Sequence, residues 1–143
     1  MKYTKHERLA QANRLLLIIS QHGRQFFRNK KDGRIAQFEV DDRGRIWFID
    51  DYKGARIYTH KTGYGHNPWK GFSHGGTLQC LAKALCSWIG NGETLHREFI
   101  APTRSMGGLG DIWGYGTEAC AATRAEAFKL PLIWHPETSL GTS

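Results

Sequence analysis

The chain has 143 residues, and 40% hydrophobic content supports one core rather than two large ones, so a single domain over 1–143 is expected, ordered from about 5 to 130 with a polar tail over 131–143. Its longest unbroken apolar run, Leu15 to Ile19, is far short of the roughly 20 residues of a bilayer span, and no signal-like apolar core follows the N-terminal charges, which predicts a cytoplasmic protein without membrane partners. The net charge of +7 is concentrated: residues 1–74 hold 15 Lys and Arg against 7 Asp and Glu, which gives one part of the fold a positive potential suited to polyanions.

In chain order, Thr4 with Glu7 three residues on forms a capping box, and Gly23 suits a left-handed C-terminal cap, so a helix is predicted between them. Leu9, Ala12, Leu16 and Ile19 recur at helical spacing and form its buried stripe, while Arg8 and Arg14 fall toward solvent. From Arg24 to His60 short aromatic and β-branched runs are broken by turn chemistry at Asp32-Gly33, at Asp41 to Gly44 and at Tyr52 to Gly54. This predicts an antiparallel meander with strands at Gln25–Asn29, Arg34–Val40, Arg45–Asp50 and Ala55–Thr59. Ala36, Phe38, Val40, Ile46 and Phe48 face inward; Trp47 and Ile49 fall on the opposite face, where Trp47 is expected to shelter beneath the loop that follows.

Residues 61–76 are rich in glycine and carry Tyr64, His66, Trp69 and His74, the composition of a functional loop. A second helix starts near Thr77, with Leu78, Leu81, Ala82, Leu85 and Ile89 on one stripe, and stops at Gly90 or Gly92. A third, Ala-rich helix runs from Thr117 to about Lys129, before Pro131. The fold class is therefore α+β: an N-terminal helix, a three- to four-stranded antiparallel meander, then two further helices packed on one face of the sheet.

No catalytic constellation emerges. The stretch Ser73-His74-Gly75-Gly76-Thr77 opens a helix with free backbone N–H groups that suit an anion, but it lacks the Gly-Lys-Ser/Thr ending of a nucleotide loop, and no GxGxxG is present. Its HGG is unaccompanied by a GxSxG elbow, which excludes a lipase-like hydrolase. His60, His66, His74 and Cys80 lack the spacing of a metal site, and Cys80, Cys86 and Cys120 are an odd set without CxxC spacing. Cys80 and Cys86 lie on or beside the apolar stripe of the second helix and read as buried thiols. The carboxylate pairs Asp41-Asp42 and Asp50-Asp51 read as turn chemistry. Neither a cofactor nor a metal is expected.

The stretches HERLAQANRLLLIISQHGRQFF, RIYTH, GFSHGGTLQCLAKAL and DIWGYG resemble small proteins of unassigned function carried by bacterial phages, prophages and plasmids, over about Glu7 to Phe128. The resemblance implies a mobile-element accessory protein in a bacterial host cell, a setting in which many proteins bind nucleic acid and others disable a host defence such as CRISPR or restriction. The order helix, strands, helix is also similar to a double-stranded-RNA-binding domain, from which the chain departs by an apparent fourth strand, a further helix and only Lys83 as a basic residue in the second helix.

The leading expectation is a non-catalytic binding protein that meets nucleic-acid backbone through Arg24, Arg28, Lys30, Lys31 and Arg34 together with Lys61, Trp69, Lys70 and His74. The alternative is an inhibitor of a host defence system that binds a host nucleic-acid-binding protein complex, with Trp47, Tyr64 and Trp69 as an aromatic hot spot. A third class, an enzyme with an unfamiliar site at His60, His66 and His74, is the weakest of the three.

Overall fold

Thr4 and Glu7 start the first helix as the sequence predicts: Thr4 Oγ1 accepts from the Glu7 N–H at 3.1 Å, and Glu7 Oε1 accepts from the Thr4 N–H at 2.7 Å. In the computed structural model, which describes residues 3–22, 26–59, 69, 72–73, 76–95, 122–123 and 125–133, this helix is α1, Lys5–Ser20. The strands β1 (Gln37–Val40), β2 (Ile46–Ile49) and β3 (Arg56–Tyr58) follow, and then α2 (Gly76–Asn91). Gly92, at φ +76°, closes α2 by donating its N–H to the Trp88 carbonyl at 2.9 Å. Residues 122–123 and 125–127 are helical, inside the stretch predicted for the third helix.

The sheet is a simple meander in the order β1-β2-β3, antiparallel throughout. Its register sets Phe38 opposite Phe48 and Phe48 opposite Ile57, so these three share the inner face and are buried. Glu39, Trp47 and Tyr58 line up on the outer face by the same parity. α1 packs against β1 and α2, and α2 packs against β2. The core between helices and sheet is built from Leu15, Leu16 and Ile19 of α1, Leu81, Leu85 and Ile89 of α2, and the inner phenylalanines, with Ala127, Leu132 and Ile133 joining it.

Asn13 of α1 acts as a partner for the β1 backbone. Its Oδ1 accepts from the Phe38 N–H at 2.6 Å and its Nδ2 donates to the Phe38 carbonyl at 3.0 Å, so a strand-edge peptide is satisfied by a helix side chain. Three sequence expectations are corrected by the structure. The strand predicted at Gln25–Asn29 reduces, among the described residues, to a single bridge between Arg28 and Ile35, because Phe27 takes φ +65° and extended pairing cannot run through it. Arg8, predicted to face solvent, is half-buried: it donates to the Tyr3 carbonyl and, at 3.0 Å, to Ile89 O near the end of α2. That contact also meets the carbonyl end of the α2 dipole with a positive charge. Trp69, predicted as a surface contact residue, is only 5% exposed. Its ring packs against Phe48 at 5.7 Å and Phe72 at 5.6 Å between centroids, and its N–H donates to the Tyr58 carbonyl at 3.0 Å.

A cationic cleft between two turns

Three consecutive turns share one construction. Each opens on an Asx residue whose side chain accepts from the N–H two residues on: Asn29 from Lys31 at 2.8 Å, Asp41 from Arg43 at 3.0 Å and Asp50 from Tyr52 at 3.0 Å. Each closes on a glycine at positive φ, namely Gly33, Gly44 and Gly54, whose N–H donates to the opening residue's carbonyl. Because the chain reverses at every turn, the first and third fall at the same end of the sheet, and the second falls at the other.

Asn29 ties the first and third turns together, donating through Nδ2 to the Tyr52 carbonyl at 2.9 Å and the Asp51 carbonyl at 3.2 Å. Asp50, 2% exposed, ties the third turn to the approach of α2: one carboxylate oxygen accepts from the Ser73 N–H at 3.2 Å and from its hydroxyl at 2.9 Å. Ser73, the first residue of the glycine-rich segment predicted to receive an external anion, thus gives both its N–H and its hydroxyl to a carboxylate of the chain itself.

Between the two tied turns lies an open cleft of about 590 Å³. Arg28, Lys30 and Lys31 line it from the first turn, Tyr52 and Lys53 from the third, and Asn29, Asp51 and Ser73 complete its walls. Among the described residues none of the four cations has an ion-pair partner, whereas Arg34, Arg45 and Arg56 are paired with Asp32, Asp41 and Glu39. Tyr52 is 63% exposed, and Lys53 Nζ stands 5.7 Å from the centre of its ring.

The structure therefore gathers Arg28, Lys30 and Lys31 of the predicted basic set. Arg34 lies at the same end but outside the cleft, its guanidinium against Gly54. Arg24, Lys61, Tyr64, Lys70 and His74 lie outside the described residues, as do His60 and His66. Tyr52 and Lys53 are not in the predicted set, because Tyr52-Lys53-Gly54 reads only as a turn in sequence. The signal that finds them is strand parity, which sends the first and third turns to one end.

Trp47 is half-buried on the outer face of the sheet. Its indole Nε1 donates to Asp41 at 3.1 Å, the Arg56 guanidinium lies 4.2 Å from its ring centre, and Tyr58 lies 4.8 Å away. That indole bond, with the backbone N–H groups of Arg45 and Arg43 and the Arg45 side chain, holds the Asp41 carboxyl well below the usual carboxylate range. Asp41 is thereby turn chemistry, as the sequence suggests. Of the two described cysteines, Cys80 is exposed, contrary to the expectation of a buried thiol. Cys86 is half-buried, donates to Thr59 Oγ1 at 3.2 Å, and has its thiol pKa pushed up by burial. Among the described residues no three His, Cys, Asp or Glu side chains gather to hold a metal, and no helix is long and apolar enough to cross a membrane.

Fold and cleft together define a small α+β protein that presents a cationic cleft beside an exposed tyrosine at one end of its sheet. The YoqU family profile matches residues 2–137, and the chain belongs to that family. It is 37% identical over 120 residues to the SPbeta prophage-derived uncharacterized protein YoqU of Bacillus subtilis strain 168, an alignment covering 82% of this chain and 75% of that protein. No solved structure matches the chain.

Proposed function

We propose that this prophage-family protein is a non-catalytic, cytoplasmic binding protein that contacts nucleic-acid backbone through the cleft between its first and third turns. The observation that carries this reading is the grouping of Arg28, Lys30, Lys31 and Lys53 around one concavity without a carboxylate paired to any of them among the described residues. Unpaired cations held close together repel one another, and an approaching phosphate chain relieves that repulsion while releasing its counterions. A basic surface that served only solubility would have no need to be concave or to gather its charges at one end.

The test is binding of nuclease-treated protein to labelled duplex DNA, single-stranded DNA and duplex RNA across a salt series. Affinity that weakens steeply with salt, and that falls at least tenfold when Lys30, Lys31 and Lys53 are changed to Glu with the melting temperature kept, is the expected result. Absence of binding at low salt would retire this reading.

A second reading is supported by the outer sheet face, where Arg56 covers the Trp47 ring and Tyr58 packs against it at a tilt. Arg, Trp and Tyr are the residues that dominate protein interfaces. On this reading the protein disables a host defence by binding a host nucleic-acid-binding complex. A host protein that co-purifies in stoichiometric amount, survives nuclease and is lost on Arg56→Ala would favour it over the first.

A further inference from the structure

We infer that the cleft takes an unpaired strand, with a base stacked on Tyr52 and the flanking phosphates on Arg28, Lys30, Lys31 and Lys53; this deepens the backbone-binding reading above and rests on it. Tyr52 is the residue that sets this cleft apart from a merely basic surface. Among the described residues it is the one large apolar side chain left widely exposed, at 63%. Its backbone is immobilised from both sides: the N–H donates to the buried Asp50 carboxylate at 3.0 Å and the carbonyl accepts from Asn29 at 2.9 Å. An aromatic ring on a pinned backbone, standing in water beside four cations, is built to cover another flat surface.

Backbone contacts alone do not need that ring. A duplex keeps the faces of its internal bases stacked on one another, so it offers a surface its phosphates but no base face to cover an exposed ring. A single strand bends into a concavity and turns a base face outward, and base–aromatic stacking beside a cationic track is how such strands are held. The size agrees, since about 590 Å³ lies within the range of sites that enclose small ligands and is far too small to admit a duplex. Lys53, 5.7 Å from the ring centre, is placed to reach a phosphate next to the stacked base.

The decisive experiment is fluorescence anisotropy with four labelled 20-mers at one salt concentration: oligo-dT, oligo-rU, a blunt DNA duplex and an oligo of abasic sites with the same number of phosphates. Expected is binding of oligo-dT or oligo-rU at least tenfold tighter than of the duplex, the comparison of the first two naming the sugar. Tyr52→Ala should weaken the better single strand about tenfold and leave the abasic oligo unchanged, while Tyr52→Phe keeps the affinity. Circular dichroism melts confirm that both variants fold. Equal affinity for duplex and single strand, or an equal loss on the abasic oligo in Tyr52→Ala, would overturn the unpaired-strand inference and leave the backbone reading standing. Failure of all four probes to bind would overturn both.

Discussion

Asp41 shows how a single turn residue acquires several tasks. Its carboxylate accepts from the N–H groups of Arg43 and Arg45, the Arg45 guanidinium at 2.9 Å and the Trp47 indole at 3.1 Å, so the ionised form is held in the folded protein and not in the unfolded chain. A carboxyl whose folded pKa is depressed stabilises the fold fully above its unfolded value, near 3.8, and loses that contribution as pH falls from there toward the folded value. Asp41→Asn should therefore lower the urea midpoint at pH 7, and the gap to the parent protein should narrow as pH is lowered below about 4. A gap that stays constant down to pH 2 would show that the charge of Asp41 contributes nothing. The turn role of this residue was legible in sequence because an Asx turn is decided within a few residues. The hydrogen bond that adds Trp47 was not, since it depends on how the hairpin twists the indole toward the turn.

At the scale of elements the same division holds. The capping box of α1, the extent of α2 and the three glycine turns are written in local sequence, and the structure places them within a residue or two of expectation. The exceptions are long-range. Arg8 looks like a solvent-facing helix residue until Ile89, 81 positions later, presents a helix-end carbonyl to it. Trp69 sits in a glycine-rich stretch that reads as surface, yet its buried ring packs against both Phe48 and Phe72. Phe27 carries a strand-forming side chain, fully buried, on a backbone at φ +65° that no strand adopts.

Asp50 is the element-scale counterpart of Asp41, because it fastens a turn to the start of a helix rather than only closing the turn. Removing its buried carboxylate as Asp50→Ala leaves the Tyr52 N–H, the Ser73 N–H and the Ser73 hydroxyl without their charged acceptor, although Tyr52 and Ser73 are themselves exposed. A loss of roughly 1–3 kcal/mol is expected in urea unfolding with the m-value unchanged. Because Asp50 also pins the backbone of Tyr52, the affinity of the cleft should fall along with stability under conditions where the variant is still folded. Full stability in Asp50→Ala would mean that water replaces the carboxylate and that the third turn is held by its backbone bonds and Asn29.

For the molecule as a whole, the charge asymmetry visible in composition becomes informative only once the fold says which cations share a concavity. Arg34, Arg45 and Arg56 have their own carboxylates and are occupied in holding turns and strands, whereas Arg28, Lys30, Lys31 and Lys53 remain free among the described residues. That count fixes a number that sequence alone leaves open. If the four cations each neutralise one phosphate of a single strand, the logarithm of affinity should fall with the logarithm of salt at a slope of about −3, since each contact releases about 0.7 counterion. Lys30→Ala with Lys31→Ala should reduce the slope to about −1.4, while Arg56→Ala, outside the cleft, should leave it unchanged. A parent slope steeper than about −5 would require cations beyond the cleft, and a slope near zero would show that whatever binds there is not held by its phosphates.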